Sequence, residues 1–290
     1  YSIPIEDTIE KWFDTENLFY WMGFHILTGN TDTQSRNYFL YSPLNVDKFY
    51  IISWDNDGAF DLLQDEVRGE NVERSWDRGI SNYWGNILYQ RIFKVEAYRD
   101  QLTQAIETLR SEYLTKDRIN ELVSGYRSVI KPYVYSMPDL MYVPLAETEY
   151  DVVADRIADE IEKNYLDYKE SLEKPMPFYI GTPSVENKKL EFSWDMAYDF
   201  DSENVTYSVE IASDYLFQDM IYSQQGLRIS QIEMDLLPEG QYFIRVRATN
   251  ESGQTQDAFD YYDVDDRTIY GTKCFYILAD GTVEEYRRVE

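Results

Sequence analysis

Residues 28–41 read TGNTDTQSRNYFLY, and residues 49–57 read FYIISWDND. Each segment contains a short run of aromatic and β-branched residues, and a loop containing Pro and Asn separates the two runs. This pattern predicts a pair of antiparallel strands. Acidic and amide residues stand at one end of the pair, before the first strand and after the second: Asp32, Asn37, Asp55 and Asp57. We therefore expect a polar site at the end of a β-hairpin.

The side chains at this end suit a hard divalent cation. Alternate strand residues point to the same face, so we expect Asp55 and Asp57 to share a face. Pairing would bring Asn37 to the same end, and Mg²⁺ prefers carboxylate and amide oxygens. Protein kinases place a metal-binding Asn five residues after the catalytic Asp, and a further metal-binding Asp follows later; Asp32, Asn37 and Asp55 have that order. The other interpretation is that these residues cap loops and form turns.

The segments around the hairpin are predicted to be mainly helical. Residues 1–30 are predicted to be helical. Asp14 or Thr15 can cap a segment in which Leu18, Met22 and Ile26 recur at every fourth position, and Gly29 ends it. A polar stretch over 61–84 is predicted to be a long ordered loop. Further apolar stripes predict three helices, the last with a solvated acidic face, over 93–109, 115–132 and 148–173.

After Lys174-Pro175-Met176-Pro177 the pattern changes to short alternating strands, which predict an antiparallel sandwich. An Asp280-Gly281 turn predicts a final hairpin. We interpret the acidic clusters at 199–203 and 260–266 as ordinary turns rather than calcium sites. The predicted fold class is α+β, with a mainly helical domain, a sandwich and a terminal hairpin over 1–174, 175–264 and 265–290.

Composition excludes several classes of function. The chain has 54 Asp and Glu against 27 Lys and Arg, a net charge of −27, which disfavours binding to nucleic acid or to an anionic membrane. It has no run of about 18 apolar residues, so direct membrane insertion is not expected. A single cysteine, Cys274, cannot form an internal disulfide or a thiolate zinc site. The single histidine, His25, lies in an apolar helical pattern and is predicted to be a packed structural residue.

The segments 29–41 and 52–57 resemble the CotH (spore coat protein H) kinase family, and the helical stretch to about residue 172 is similar to the end of that family's domain. The family consists of atypical, secreted or spore-associated kinases that transfer phosphate from ATP with a divalent metal. The resemblance implies that Asp32 is the catalytic aspartate. It also implies that Asn37 and Asp55 bind the cofactor and the metal, with Asp57 as a second metal candidate.

A kinase also needs a loop over the phosphates and a lysine upstream of the catalytic Asp. Only 31 residues precede Asp32, and they are predicted to be helical. We therefore expect the nucleotide-clamping half to lie outside this chain. The fragment alone is expected to be inactive, with ATP and Mg²⁺ or Mn²⁺ bound only in the parent protein.

Residues 177–262 are similar to fibronectin type III-like modules, chiefly in FSWD at 192–195, VTYSVEI at 205–211 and GQYFIRV at 240–246. That resemblance implies that Trp194 and Tyr242 anchor the core, and that the module has an adhesion or spacing role.

Two functional hypotheses follow. In the first, the parent is a CotH-like bacterial kinase, secreted or at the cell surface or spore coat, in which Asp32 orients or deprotonates a Ser/Thr hydroxyl of a protein substrate. In the second, the protein is a non-catalytic surface scaffold or adhesion protein whose sandwich binds a partner or a glycan.

Overall fold

The computed structural model describes residues 2–60, 76, 78–264 and 267–286. The fold is α+β, as predicted. The chain divides into two compact units, Tyr1–Val72 with Arg78–Glu170, and Glu73–Asp77 with Ser171–Glu290. The described residues contain six α-helices: α1 (Ile5–Trp12), α2 (Thr15–Leu27), α3 (Ile87–Phe93), α4 (Glu96–Thr108), α5 (Lys116–Val134) and α6 (Glu147–Glu173). Within the described residues, no helix combines the length and the apolar character needed to cross a membrane.

Helix α2 is the central helix of the first unit. It begins at Asp14, whose side chain accepts a hydrogen bond from the Asn17 backbone N–H at 2.9 Å, which confirms the predicted N-cap. It packs closely on α4. The approach at Gly23 is so close that an added Cβ there would lie only 3.0 Å from Ile106 Cγ1 of α4. Gly29 follows the helix at φ +61°, the left-handed conformation that ends many helices, and so releases the chain into the polar segment.

The predicted hairpin is present as β1 (Tyr38–Tyr41) and β2 (Tyr50–Ser53), paired antiparallel from Tyr38↔Ser53 to Tyr41↔Tyr50. Asn17 of α2 attaches the hairpin to the helix with two hydrogen bonds. Its Nδ2 donates to the Ile51 carbonyl at 3.2 Å, and its Oδ1 accepts from the Ile51 N–H at 2.6 Å. The position of the hairpin relative to α2 is therefore fixed through backbone groups.

Helix α5 differs from its prediction in two ways. It continues through Pro132 to Val134, because the carbonyl that Pro132 leaves without an N–H partner belongs to the exposed Ser128 and can bind water. Leu122 and Tyr126, two of the apolar residues whose spacing predicted this helix, are exposed. The reason is that α5 faces α6 with its cations, which form the ion pairs Lys116–Asp159, Arg127–Asp155 and Lys131–Asp151.

The second unit is built from antiparallel strands. A six-stranded sheet has the order β13-β12-β8-β5-β6, with β9 also paired to β8, and β3-β4-β7 and β10-β11 form smaller sheets. The strands are β3 (Ser184–Glu186), β4 (Lys189–Ser193), β5 (Thr206–Ala212), β6 (Met220–Leu227), β7 (Gln231–Asp235), β8 (Gly240–Thr249), β9 (Thr255–Asp257), β10 (Tyr261–Val264), β11 (Arg267–Tyr270), β12 (Thr272–Ile277) and β13 (Val283–Glu285).

Residues from the six-stranded and the three-stranded sheet share one core, in which Phe192 of β4 contacts Phe275 of β12. Trp194 and Tyr242 are both buried there, as expected. A second cluster contains Phe243 and Cys274, which alternate with the core residues along β8 and β12. Strand β12 is therefore buried on both faces, and β8 is buried on both faces only near Phe243. The predicted terminal hairpin is the β12–β13 pair, and β12 also pairs with β8.

The long loop predicted over 61–84 lies mostly outside the described residues. Of its aromatic residues, Tyr83 and Trp84 are buried in the first unit. Trp76 belongs to the second unit, where its ring packs against Phe259 and Tyr270.

Candidate functional site

Asp32 and Asn37 are in direct contact in the loop that leads into β1. The Asn37 Nδ2 donates to Asp32 Oδ2 at 2.8 Å, and the Arg36 Nε donates to Asp32 Oδ1 at 2.6 Å. Both oxygens of the half-buried Asp32 carboxylate are therefore held, and its orientation is fixed. The sequence analysis missed Arg36, although its position four residues after Asp32 was the available signal.

Asn37 and Asp55 flank the same end of the hairpin, as predicted. The Trp54 N–H donates to the Asn37 carbonyl at 3.1 Å, next to the terminal Tyr38↔Ser53 pair. Asn37 and Asp55 have φ values of 62° and 54°. Asn and Asp tolerate this left-handed conformation better than most residues, so both strands turn away from the hairpin at this point.

The prediction that Asp55 and Asp57 share a strand face is wrong. Strand β2 ends at Ser53, and Asn56–Gly58 form a 3₁₀ turn in which the two-residue period of a strand no longer applies. Both Asp55 and Asp57 are exposed.

The turn that follows Asp55 lies against the Asp32 loop. A Cβ on Gly58 would be 3.0 Å from Asn30 Oδ1 and 3.4 Å from the Asp32 Cβ. The Phe60 N–H donates to the Thr28 carbonyl at 2.7 Å and holds the end of the turn in place. The turn is therefore adjacent to the catalytic candidate although it lies more than 20 residues later in the sequence.

Buried amide and hydroxyl groups hold the Asp32 loop in place by hydrogen bonds. The Asn30 Oδ1 accepts from the Asp32 N–H at 3.2 Å, whereas its buried Nδ2 has no hydrogen-bond partner within the described part of the chain. Thr33 and Tyr83 join their hydroxyls at 3.0 Å, and burial raises the pKa of Tyr83. The Asn82 Nδ2 donates to the backbone carbonyl of the loop at Thr31. The Asp32 loop is therefore fixed from several directions.

His25 is packed beneath the hairpin, which confirms the prediction of a structural histidine. Its ring lies about edge-on to Trp21 and Phe24, and its Nε2 is 3.0 Å from the Ser53 Oγ. Burial lowers the pKa of His25 from 6.5 to about 4. The ring is therefore neutral at neutral pH and adds no charge to the site.

The ligand atoms at this end of the hairpin are of the type that a hard cation prefers: the carboxylate oxygens of Asp55 and Asp57 and the amide oxygen of Asn37. Among the described residues, no three His, Cys, Asp or Glu side chains come close enough together to hold a metal by themselves. Magnesium is usually bound by one or two carboxylates and completed by substrate phosphates and water. The buried Nδ2 of Asn30 is a donor that suits an anionic or water oxygen rather than a metal.

The chain matches the model of a known protein family. The model of the family described as CotH kinase protein matches residues 2–166, which is more than half of the chain and includes all four candidate residues. No curated protein matches the chain.

Proposed function

Because the chain belongs to the CotH kinase protein family, we propose that it carries the catalytic aspartate and the metal ligands of a protein kinase. The reaction is transfer of the terminal phosphoryl group of ATP to a Ser or Thr hydroxyl of a protein at the cell surface or in a coat. The nucleotide-clamping elements would come from the parent protein. The proposed compartment is secreted or cell-surface.

The observation that carries this proposal is the position of the Asn56–Gly58 turn against the Asp32 loop. It brings the proposed base next to the residues that follow Asp55, while Asn37 contacts the base directly. Phosphoryl transfer relies on positioning and on neutralising charge, so a rigid loop that fixes these groups supports the function.

The proposed roles follow from the hydrogen bonds. Asp32 orients the acceptor hydroxyl and takes its proton, and Arg36 and Asn37 hold the carboxylate in place. Because the Asn37 Nδ2 donates to Asp32, the Asn37 Oδ1 is the amide atom left to accept from, or bind to, another group. Asp55 and Asn37 hold the metal, with Asp57 as a further ligand. The metal, when bound with ATP, neutralises the charge of the phosphates.

The test is phosphate transfer by the full-length protein with ATP and Mg²⁺ or Mn²⁺, measured with labelled ATP on a pool of Ser- and Thr-containing peptides. We expect Asp32→Asn and Asp55→Asn each to lower the rate by about 100-fold or more. Asp47→Asn is the matched control, because Asp47 is exposed in the loop of the same hairpin. Equal rates in all variants would refute the assignment.

A metal titration separates the two roles. Asp55→Asn should raise the concentration of Mg²⁺ needed for half-maximal activity, because it removes a ligand. Asp32→Asn should lower the maximal rate and leave that concentration unchanged.

The second unit supports a second proposal, that it is a fibronectin type III-like sandwich which binds a protein partner or a glycan. Its support is the core shared by the six-stranded and three-stranded sheets, with Trp194 and Tyr242 inside it. If the intact protein binds no nucleotide and transfers no phosphate but is retained on a surface protein or glycan, the scaffold function is favoured.

A further inference from the structure

Lys273 places a charged group on the inner face of the six-stranded sheet. In β12 it points to the same side as Phe275 and Ile277, which belong to the shared core, and it pairs with the fully buried Ile244 of β8. Its side chain is only 17% exposed. A lysine is almost never buried in this way unless it is paired.

Two carboxylates and one peptide group surround the Lys273 ammonium. Its Nζ lies 3.3 Å from Asp260 Oδ1 and 2.9 Å from Glu285 Oε1, and it donates to the Ile180 carbonyl at 2.5 Å. The Ile180 N–H donates to the other oxygen of Asp260 at 2.7 Å. The backbone of Ile180 therefore holds the amine and the carboxyl group side by side.

Asp260 is largely removed from solvent. Its side chain is 11% exposed, and burial raises its pKa above the ordinary value of an aspartate. The neighbouring Phe259 packs its ring against Trp76 and Tyr179, with ring centroids 5.3 Å and 5.0 Å away. In such a place an ion pair carries a desolvation cost that its own attraction only partly repays.

We propose that Lys273 and Asp260 are joined by an intramolecular isopeptide bond, formed by the protein itself with Glu285 as the proton carrier. Ile180 holds the amine and the Asp260 carboxyl group in contact, and the carboxylate of Glu285 also contacts the amine. This site lies in the second unit and is independent of phosphoryl transfer.

The reaction is a condensation. Transfer of a proton from the Lys273 ammonium to the Asp260 carboxylate gives a neutral amine and a neutral acid. The Nζ lone pair attacks the Asp260 Cγ and forms the C–N bond. Glu285 takes a proton from the nitrogen and delivers it to a hydroxyl on Cγ, the C–O bond breaks, and one water leaves. Glu285 returns to its starting state, and no oxidant or other reactant is needed.

Proximity allows this reaction without an enzyme, because well-oriented groups in a protein react as if at very high concentration. The product ties β12 to the segment before β10, so the two would no longer separate when the sheet is pulled or heated.

The direct test is the mass of the whole chain after denaturation. We expect a mass one water lower than the sequence requires, and a protease digest that contains one branched peptide with both Lys273 and Asp260. Asp260→Ala and Lys273→Arg should each show the full mass of their own sequence. Asp260→Asn should lose one ammonia instead of one water, because the leaving group has changed. Glu285→Gln should form the bond more slowly or not at all.

An exposed ion pair in the same unit is the matched control. Lys189 Nζ lies 2.7 Å from Asp235 Oδ1, closer than in the proposed pair, but both side chains are well exposed. We expect the digest to show these two residues unlinked. A full-length mass equal to that of the sequence, with no branched peptide after prolonged incubation, would overturn the proposal. The wild-type mass decides the matter even if a variant fails to fold.

Discussion

The buried His25 is expected to make the stability of the first unit depend on pH. Burial lowers the pKa of His25 from 6.5 to about 4, and the buried Nδ1 has no hydrogen-bond partner among the residues described. The unfolded chain therefore binds a proton more readily than the folded one. The part of the stability that depends on a neutral His25 is fully present above pH 6.5 and is lost as the pH falls towards 4. The loss in free energy of unfolding is about 2 kcal/mol at pH 5 and about 3 kcal/mol below pH 4.

Two measurements test this. His25 is the only histidine of the chain, so in a protein without a histidine tag its ring proton gives an unambiguous NMR titration. Urea unfolding at pH 7 and pH 5 is then compared between the wild type and His25→Gln, followed by a probe in the first unit. The 54 acidic residues titrate in both proteins and cancel in the comparison. We expect the wild type to lose about 2 kcal/mol more than the variant between these pH values.

A folded-state titration midpoint near 6.5 would refute the reasoning, as would the same pH dependence in both proteins. A loss of stability in His25→Gln at pH 7 does not affect the comparison, because the test uses the change with pH within each protein.

The remaining predictions concern stability and are measured by denaturant unfolding. Gly58→Ala should destabilise the first unit by about 1 kcal/mol, because its Cβ would lie 3.0 Å from the buried Asn30 amide oxygen. Gly125→Ala is the control in an open helical position and should stabilise by roughly 1 kcal/mol. Tyr83→Phe should cost about 1–2 kcal/mol, because it removes the hydroxyl that pairs with the buried Thr33; an unchanged midpoint would contradict that role.

The sequence was sufficient to predict the elements that are determined by residues close together along the chain. The N-cap at Asp14, the end of α2 near Gly29 and the β1–β2 hairpin follow from residues close together in the sequence. The prediction that Asn37 lies at the same end of the hairpin as Asp55 required only that the two strands pair.

Contacts set by the tertiary structure were not predictable in this way. The strand period could not show that β2 stops before Asp55, because that end depends on a left-handed residue and a 3₁₀ turn. The exposure of Leu122 in α5 depends on the neighbouring helix α6, with which Arg127 pairs. The pairing of Lys273 with Asp260 depends on how the sheets pack, and each residue alone looks like an ordinary surface charge.

Burial on both faces of β12 removes the usual guide to strand register. In a strand with one apolar face, a shift by one residue exposes the apolar side chains and is costly. In β12, Cys274 and Phe275 point to opposite faces and are both buried, so such a shift exchanges one apolar side chain for another. Lys273 breaks this symmetry, because only the observed alignment brings its ammonium to Asp260 and Glu285. The buried lysine therefore selects a single alignment when the strand joins the sheet.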